Sequence, residues 1–211
     1  MLILSLDTTA HFGSLALLED TAVLEEVLLH SPEGFGPVLF GQMEALLGRH
    51  GVRVSEIGLF AAAAGPGSFT GVRIGLTAVK GLAEAFSRPV VGVSNLMALA
   101  ECGSLPFRAA LLDARRGEIY GAVYDADLNV VSAEVVMPFG PWVSGLPARD
   151  VEFVSTDLGP FRALLPAGVC TERRALAGAV GRVALRMPRL DAAAVNANYV
   201  RRSDAELLWK E

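Results

Sequence analysis

Residues 65–75 of this chain are Gly-Pro-Gly-Ser-Phe-Thr-Gly-Val-Arg-Ile-Gly, a glycine-rich stretch between a predicted strand and a predicted helix. The apolar run 59–64 leads directly into it, and a helical pattern continues behind it over 69–86. Such a junction often binds an anion, because its backbone N–H groups and the helix N-terminus point at the ligand. The glycine spacing is Gly-x-Gly-x-x-x-Gly and no Gly-Lys-Ser/Thr follows, so the pattern favours a tight connection over a phosphate site.

The predicted helix 69–86 also has small residues along one face. Gly71 and Gly75 are four residues apart, and Ala78 and Gly81 continue nearly the same stripe. Each glycine inside a helix costs roughly 1 kcal/mol relative to alanine. Such a stripe therefore indicates that another backbone comes close. Three charged residues in the same segment argue against a membrane span, so we predict a contact with another helix, within the chain or between chains.

The composition is that of a globular protein. The 211 residues are 52% hydrophobic and 19% charged, and the net charge of -5 argues against a broad electropositive surface for nucleic acid. Cys102 and Cys170 are far apart in sequence, which favours reduced thiols in a cytosolic protein. We expect no signal peptide and no membrane span, because no basic region precedes the first apolar run and every apolar run is interrupted.

The pattern of predicted elements occurs twice along the chain. The first half begins with a strand at 2–6, a hairpin at 13–18 and 22–29, and a helix at 35–49. It continues with a strand at 59–64, a helix at 69–86, a strand at 90–93 and a helix at 95–102 that Ser94 caps. The second half has a strand, a hairpin, a strand and two helical segments, at 109–112, 118–124 with 130–137, 152–155, 159–165 and 172–187. This repeat predicts two related subdomains, the second poorer in helix because prolines interrupt its middle.

Each predicted half has an aspartate at the end of its first strand. Asp7-Thr8-Thr9 offers a carboxylate and two hydroxyls, which suit either Mg²⁺ and a phosphate or simple hydrogen bonding within the turn. In the second half, Arg115 lies two residues after Asp113, where a phosphate motif needs a glycine. The sequence therefore indicates a degraded nucleotide site there.

Other catalytic patterns are weak. His11, His30 and His50 are scattered and lack His-x-x-x-His spacing, so we expect no metal site built by the protein. Gly-Ser-Phe-Thr-Gly around Ser68 is not the Gly-x-Ser-x-Gly nucleophile turn, which disfavours a serine hydrolase.

Together these motifs resemble the TsaB (YeaZ) family of bacterial threonylcarbamoyladenosine biosynthesis proteins over essentially the whole chain. The resemblance rests on four stretches, 6–9, 65–75, 92–97 and 113–120. The tail departs slightly, since the family usually has a proline before its final Tyr-x-Arg, where this chain has Ala197-Asn198-Tyr199-Val200-Arg201.

The resemblance implies an α/β protein of the actin/Hsp70-like ATPase (ASKHA) fold, with two ribonuclease-H-like subdomains at 1–104 and 105–211, the second reduced. It also implies a cytoplasmic, non-catalytic scaffold for TsaD, the subunit that modifies adenosine 37 of tRNA. TsaE joins the pair. We expect self-association as a homodimer, tRNA contact only through the complex, and no cofactor apart from ATP or ADP in the complex with TsaD and TsaE.

Two sets of site residues follow from the motifs and the resemblance. The degenerate phosphate motif comprises Asp7, Thr8, Thr9, Gly13, Asp113 and Arg115. The partner and dimer interface is predicted on two helices, at Leu39, Met43, Phe69, Gly71, Gly75, Ala78 and Leu82. Two alternatives stay open: a free-standing kinase-like ATPase of the same fold, which needs intact phosphate motifs, and a glycoprotease-like peptidase, which needs a nucleophile–base pair or a metal.

Overall fold

The computed structural model describes residues 1–147 and 150–201. Its first sheet has five strands in the order β3-β2-β1-β4-β5, with β2 antiparallel to both β1 and β3. The strands are β1 Leu2–Asp7, β2 Phe12–Glu19, β3 Ala22–His30, β4 Leu59–Gly65 and β5 Val90–Ser94. The helices of this half are α1 Leu39–Arg49, α2 Phe69–Phe86 and α3 Asn95–Glu101, with a 3-10 turn at Val54–Glu56.

The second sheet repeats this plan in the order β10-β9-β6-β7-β8. Its strands are β6 Phe107–Arg115, β7 Glu118–Asp125, β8 Val130–Pro138, β9 Val151–Ser155 and β10 Cys170–Glu172. Its helices are α4 Phe139–Ser144 and α5 Ala177–Ala184, with 3-10 turns at Gly159–Phe161 and Ala192–Ala194. In both sheets the first strand pairs antiparallel with a hairpin strand and parallel with a later strand. The predicted repeat and ASKHA-type fold are confirmed.

The apolar residues of the two sheets form three cores. Alternation along β1 sends Leu4 and Leu6 into a core with α1 and α2, and Ile3 into a second core shared with α3, α5 and the second sheet. A third core lies on the other face of the second sheet, against α4. Helices α3 and α5 are therefore enclosed between the sheets, while α1 and α2 cover the outer face of the first sheet.

Helix α5 follows the second sheet in sequence but packs on the first. The Ser5 Oγ donates to the Ala177 carbonyl at 2.6 Å, and the Ser14 Oγ accepts from the Leu176 and Ala177 N–H groups at 3.0 and 2.9 Å. The two sheets lie on either side of the boundary predicted between residues 104 and 105. Since α5 crosses over, that boundary stays a prediction.

The structure corrects the prediction in the second half. The helix predicted over 172–187 is shorter, because residues 170–172 form β10 and α5 begins at Ala177. The segment 159–165 contains a 3-10 turn instead of a full helix. The proline-interrupted middle contains α4, since Pro138 precedes the helix and Pro141 lies in its first turn, where backbone N–H groups have no partner within the helix.

Gly71 and Gly75, in the first half of the small-residue stripe of α2, face the chain's own β1–β2 loop. A Cβ on Gly71 would lie 2.0 Å from the Thr8 carbonyl oxygen, and one on Gly75 would lie 2.6 Å from the Thr8 Oγ1. The Thr8 Oγ1 also donates to the Gly71 carbonyl at 2.7 Å. The close approach that the glycines indicate is therefore present, but the prediction of a second helix as the neighbour is wrong at Gly71 and Gly75, where the neighbour is a loop.

This packing predicts opposite effects for two alanine substitutions in one helix. Gly71→Ala should lower the free energy of unfolding by about 1–3 kcal/mol, because its Cβ strikes backbone that cannot move alone. Gly81→Ala is the matched control, since nothing lies within 4 Å of its Cβ. It should raise stability by about 0.5–1 kcal/mol through helix propensity. Urea denaturation measures both, and equal effects of the two substitutions would contradict the packing.

Candidate functional site

Two concave surfaces are candidates for function, and the first is a cleft of about 660 Å³ between the two halves. We call it the inter-sheet cleft. The β1–β2 loop, the turn before α2, the β6–β7 turn and the segment after β9 line it. The side chains that line it with polar groups include Thr9, His11, Ser68, Asn95, Asp113, Arg115, Tyr120, Thr156, Asp157 and Arg174.

The Asp7 carboxylate is buried beneath this cleft and lies outside its lining. Its Oδ1 accepts from the Thr9 N–H at 2.8 Å and from the Thr9 Oγ1 at 2.6 Å. Among the described residues, Oδ2 has no hydrogen-bond partner. Burial raises the pKa of Asp7 above its ordinary value, and the hydrogen bonds from Thr9 oppose the rise. The Asp7 carboxylate thus orders the turn through one of its oxygens, Oδ1, in line with the hydrogen bonding within the turn that the sequence suggests.

The other residues of the first motif serve packing. Thr8 binds α2, and Gly13 has no room for a side chain because its Cβ would lie 2.8 Å from both the Asp7 carbonyl oxygen and the Phe35 ring. Thr9 is the member that reaches the cleft, where its hydroxyl also accepts a hydrogen bond from the Asn95 amide. The motif of the first half therefore contributes one side chain, that of Thr9, to the cleft surface.

The second motif does line the cleft, but its carboxylate is already occupied. Asp113 Oδ1 accepts from the Arg115 N–H at 2.7 Å, and Asp113 Oδ2 lies 3.2 Å from the Arg115 guanidinium. Arg115 and Arg116 both adopt left-handed backbone, with φ of 65° and 58°. The turn therefore points its arginine back at its own aspartate, and the pair presents little net charge to the cleft.

The second concave surface is a groove of about 570 Å³ between α1 and α2, which we call the α1–α2 groove. It lies on the outer face of the first sheet. Apolar and small side chains dominate its lining, which comprises Gly36, Leu39, Phe40, Phe69, Thr70, Arg73, Ile74, Thr77, Ala78, Gly81 and Leu82. Phe40 is 57% exposed and Phe69 is 44% exposed, which is unusual for phenylalanine.

One end of the groove has a positive charge stacked on aromatic rings. The Arg73 guanidinium lies 3.7 Å from the centre of the Phe69 ring, and its Nε donates to the Tyr199 hydroxyl at 3.3 Å. The Phe69 and Tyr199 rings stack with centres 5.4 Å apart. Among residues 1–147 and 150–201, no carboxylate forms an ion pair with Arg73.

The groove contains part of the predicted interface. Leu39, Phe69, Ala78 and Leu82 line it. Met43, Gly71 and Gly75 are buried outside its lining, and Gly71 and Gly75 contact the β1–β2 loop. That the seven residues form an interface stays a prediction. Sequence reasoning missed five lining side chains, Phe40, Thr70, Arg73, Ile74 and Thr77. The signal was present, because Phe69, Arg73 and Thr77 recur every four residues on a stripe parallel to the glycines.

The C-terminal segment 190–201 runs from the groove to the cleft. The Asn198 N–H donates to the Ala64 carbonyl at 2.7 Å, and Tyr199 packs on the groove as described above. Arg201 donates to the Ala114 carbonyl at 2.8 Å and pairs with Glu118. Arg201 is therefore engaged within the chain, while the adjacent Arg202 lies outside the described residues.

Two further sequence expectations have structural counterparts. The histidines are less scattered than the spacing indicates, because the β2–β3 hairpin brings the Nε2 atoms of His11 and His30 to 3.1 Å. Across residues 1–147 and 150–201, no group of three or more His, Cys, Asp or Glu side chains could hold a metal ion. In the same residues, no helix has the length and apolar character that crossing a bilayer requires.

Comparisons with known proteins agree with this architecture. Residues 38–148 match the family model described as TsaD: tRNA N6-adenosine threonylcarbamoyltransferase. The tRNA threonylcarbamoyladenosine biosynthesis protein TsaB of Escherichia coli (strain K12) is 37% identical over 134 residues, which are 61% of this chain and 57% of that protein. The protein of the same name from Bacillus subtilis (strain 168) is 28% identical over an alignment of 233 positions, gaps included, which covers 100% of this chain and 99% of that protein.

A solved structure gives the same result over nearly the full chain. The structure described as YeaZ from Pseudomonas aeruginosa superposes with a TM-score of 0.81 at 27% sequence identity. The superposition covers 94% of this chain and 99% of that one.

The unpartnered oxygen of Asp7 predicts a stability gain in Asp7→Asn. Because burial raises the folded-state pKa, the wild-type chain loses stability as pH rises from 3.8, the ordinary value, through that pKa. Asparagine keeps the oxygen that Thr9 binds and cannot ionise. At pH 8 Asp7→Asn should therefore be about 1–3 kcal/mol more stable than wild type. The gain should shrink towards pH 4.5 in urea denaturation. A loss of equal size at both pH values would contradict the burial argument.

Proposed function

Because this chain belongs to the TsaB (YeaZ) family, which shares the TsaD family model, we propose that it is a non-catalytic subunit in the synthesis of threonylcarbamoyladenosine in tRNA. Its role is to bind a TsaD-type catalytic subunit and hold it in an active form. The α1–α2 groove carries this proposal. Exposed apolar patches rimmed by polar groups are typical of protein interfaces, and aromatic residues with arginine are enriched there.

The partner that best fits the groove is a chain of the same fold. The groove is built by two helices on the outer face of the first sheet, and a TsaD-type chain shares the family model over 38–148, which includes both helices. Related chains that meet through equivalent faces form a two-fold arrangement, as identical subunits do. The same groove therefore serves a second copy of this chain and the TsaD-type partner, one at a time.

We assign catalysis to the partner because the two motif aspartates of this chain already have partners within the chain. Asp113 is paired with Arg115, and Asp7 is buried with one oxygen bound by Thr9. Phosphoryl transfer depends on carboxylates and donors that are free to organise Mg²⁺ and phosphate. ATP or ADP is then bound in the complex with TsaD and TsaE, in the cytoplasm, and not turned over by this chain.

Contact with tRNA is proposed to be indirect. The net charge of -5 gives no general attraction to a polyanion. The sequence has three basic pairs, Arg115-Arg116, Arg173-Arg174 and Arg201-Arg202. Arg115 and Arg201 form ion pairs with Asp113 and Glu118 of the chain itself. We therefore assign tRNA contact to a composite surface that the TsaD-type partner completes.

A free-standing kinase-like ATPase is the second candidate, favoured by the cleft itself and by the unpartnered oxygen of Asp7. Robust ATP turnover by the purified chain that Asp7→Ala abolishes would support this alternative. We expect turnover at background level. The peptidase alternative has less support, since the Ser68 hydroxyl accepts from the Gly71 N–H as a helix cap.

The groove predicts that Phe40→Glu disrupts partner binding. Phe40 is 57% exposed, so the substitution leaves the core intact and places a charge in the apolar groove. Val130→Glu is the matched control, because Val130 is 60% exposed on β8 of the other sheet. We expect Phe40→Glu to weaken binding of a TsaD-type partner by about 2 kcal/mol or more, as for a hot-spot residue. Calorimetry after purification of both chains measures the affinity.

Equal affinity of Phe40→Glu and wild type, or an equal loss in Val130→Glu, would refute the groove as the interface. A large residue at Gly75 does not test the same point. Its side chain would strike Thr8 and Leu6, so it would disturb the fold before any interface.

A further inference from the structure

The open end of the β2–β3 hairpin brings two histidines together. His11 immediately precedes β2, His30 ends β3, and the register places Phe12 opposite His30. The antiparallel pairing fixes both backbones, so residues 19 apart in sequence have neighbouring side chains. Both side chains are exposed, and His11 also lines the inter-sheet cleft.

The geometry of the two rings suits ligation of one ion. Their Nε2 atoms are 3.1 Å apart, and the ring planes are inclined by 65°. Two nitrogens at about 2.0–2.1 Å from one ion lie about 2.9 Å apart at a right angle and about 3.3 Å apart at the tetrahedral angle. The observed separation falls between these values. A hydrogen bond that shares one ring proton is the competing interpretation, and the two differ in whether metal displaces that proton.

We propose that His11 and His30 form a two-histidine site for a divalent transition metal. Neutral imidazole prefers Zn²⁺, Ni²⁺ and Cu²⁺ over Mg²⁺ and Ca²⁺, which prefer oxygen ligands. In the part of the chain that the structure describes, no third His, Cys, Asp or Glu joins the pair. Water, or an oxygen of a molecule in the cleft, completes the coordination. Two ligands give weaker binding than a structural zinc site with four.

The other histidine of the chain provides the internal control. The His50 Nε2 lies 2.8 Å from Glu25, whose carboxylate also binds Arg49 at 2.7 Å. His50 is therefore held in an ion-pair cluster away from the pair. The spacing argument against a metal site missed His11 and His30 because strand register, not sequence distance, brings them together.

Titration calorimetry of the untagged protein with NiCl₂, and separately with MgCl₂, tests the proposal. Every sample carries Cys170→Ser, because the exposed Cys170 thiol could itself bind nickel. We expect one Ni²⁺ per chain and no Mg²⁺ binding. His11→Ala and His30→Ala should each weaken Ni²⁺ binding at least tenfold, while His50→Ala should leave it unchanged. Circular dichroism confirms that the variants fold.

Three outcomes would overturn the proposal. They are the absence of saturable Ni²⁺ binding, unchanged binding in either His11→Ala or His30→Ala, and an equal loss in His50→Ala. Electron paramagnetic resonance of the Cu²⁺-loaded protein gives an independent readout. Two coordinated nitrogens are expected in the starting protein and one in each of the His11→Ala and His30→Ala variants.

Discussion

The contact between the backbone of α2 and Thr8 fixes the position of both candidate surfaces. The glycines of α2 let the helix approach until the Thr8 Oγ1 bonds to the Gly71 carbonyl at 2.7 Å. On the loop side of this contact, Thr9 reaches the inter-sheet cleft, and its carbonyl accepts from the Ser68 N–H at 2.7 Å. On the opposite face of the helix, Phe69 and its neighbours line the α1–α2 groove. A shift of α2 would therefore alter both surfaces.

The C-terminal segment adds a second connection between these surfaces. Tyr199 packs against Phe69 at the end of the groove, and Arg201 binds the Ala114 carbonyl in the cleft turn. Just before Tyr199, the Asn198 amide donates to Glu134 of the second sheet at 2.7 Å. The segment thus contacts both halves of the chain along a short path. The hydrogen bond from Arg201 to the Ala114 carbonyl also helps to order the β6–β7 turn, which contains the Asp113–Arg115 ion pair.

Elements that depend on local pattern could be predicted from the sequence. The strands of the first sheet follow apolar runs, helix 69–86 has the predicted bounds, and Ser94 caps α3 through the Leu96 and Met97 N–H groups. These features depend on residues only a few positions apart, so the sequence pattern alone is enough to predict them. The correct fold class follows from their repetition in the second half.

Features that depend on distant contacts could not be predicted in the same way. The glycine pattern looks the same in the sequence whether the neighbour of Gly71 and Gly75 is a helix or the loop that contains Thr8. The pairing of His11 with His30 requires the hairpin register, and the engagement of Arg201 with Glu118 requires the path of the tail. Each of these is a long-range contact, and a sequence pattern specifies which face is small or polar without specifying what meets it.

Site-specific photocrosslinking tests the central claim, that the α1–α2 groove binds a TsaD-type subunit. A p-benzoylphenylalanine at position 40 or 69 replaces an exposed phenylalanine with a close analogue, and one at position 130 samples an equally exposed site on the other sheet. The account predicts crosslinks to the partner from positions 40 and 69 and none from position 130. Crosslinks from position 130 alone would contradict it.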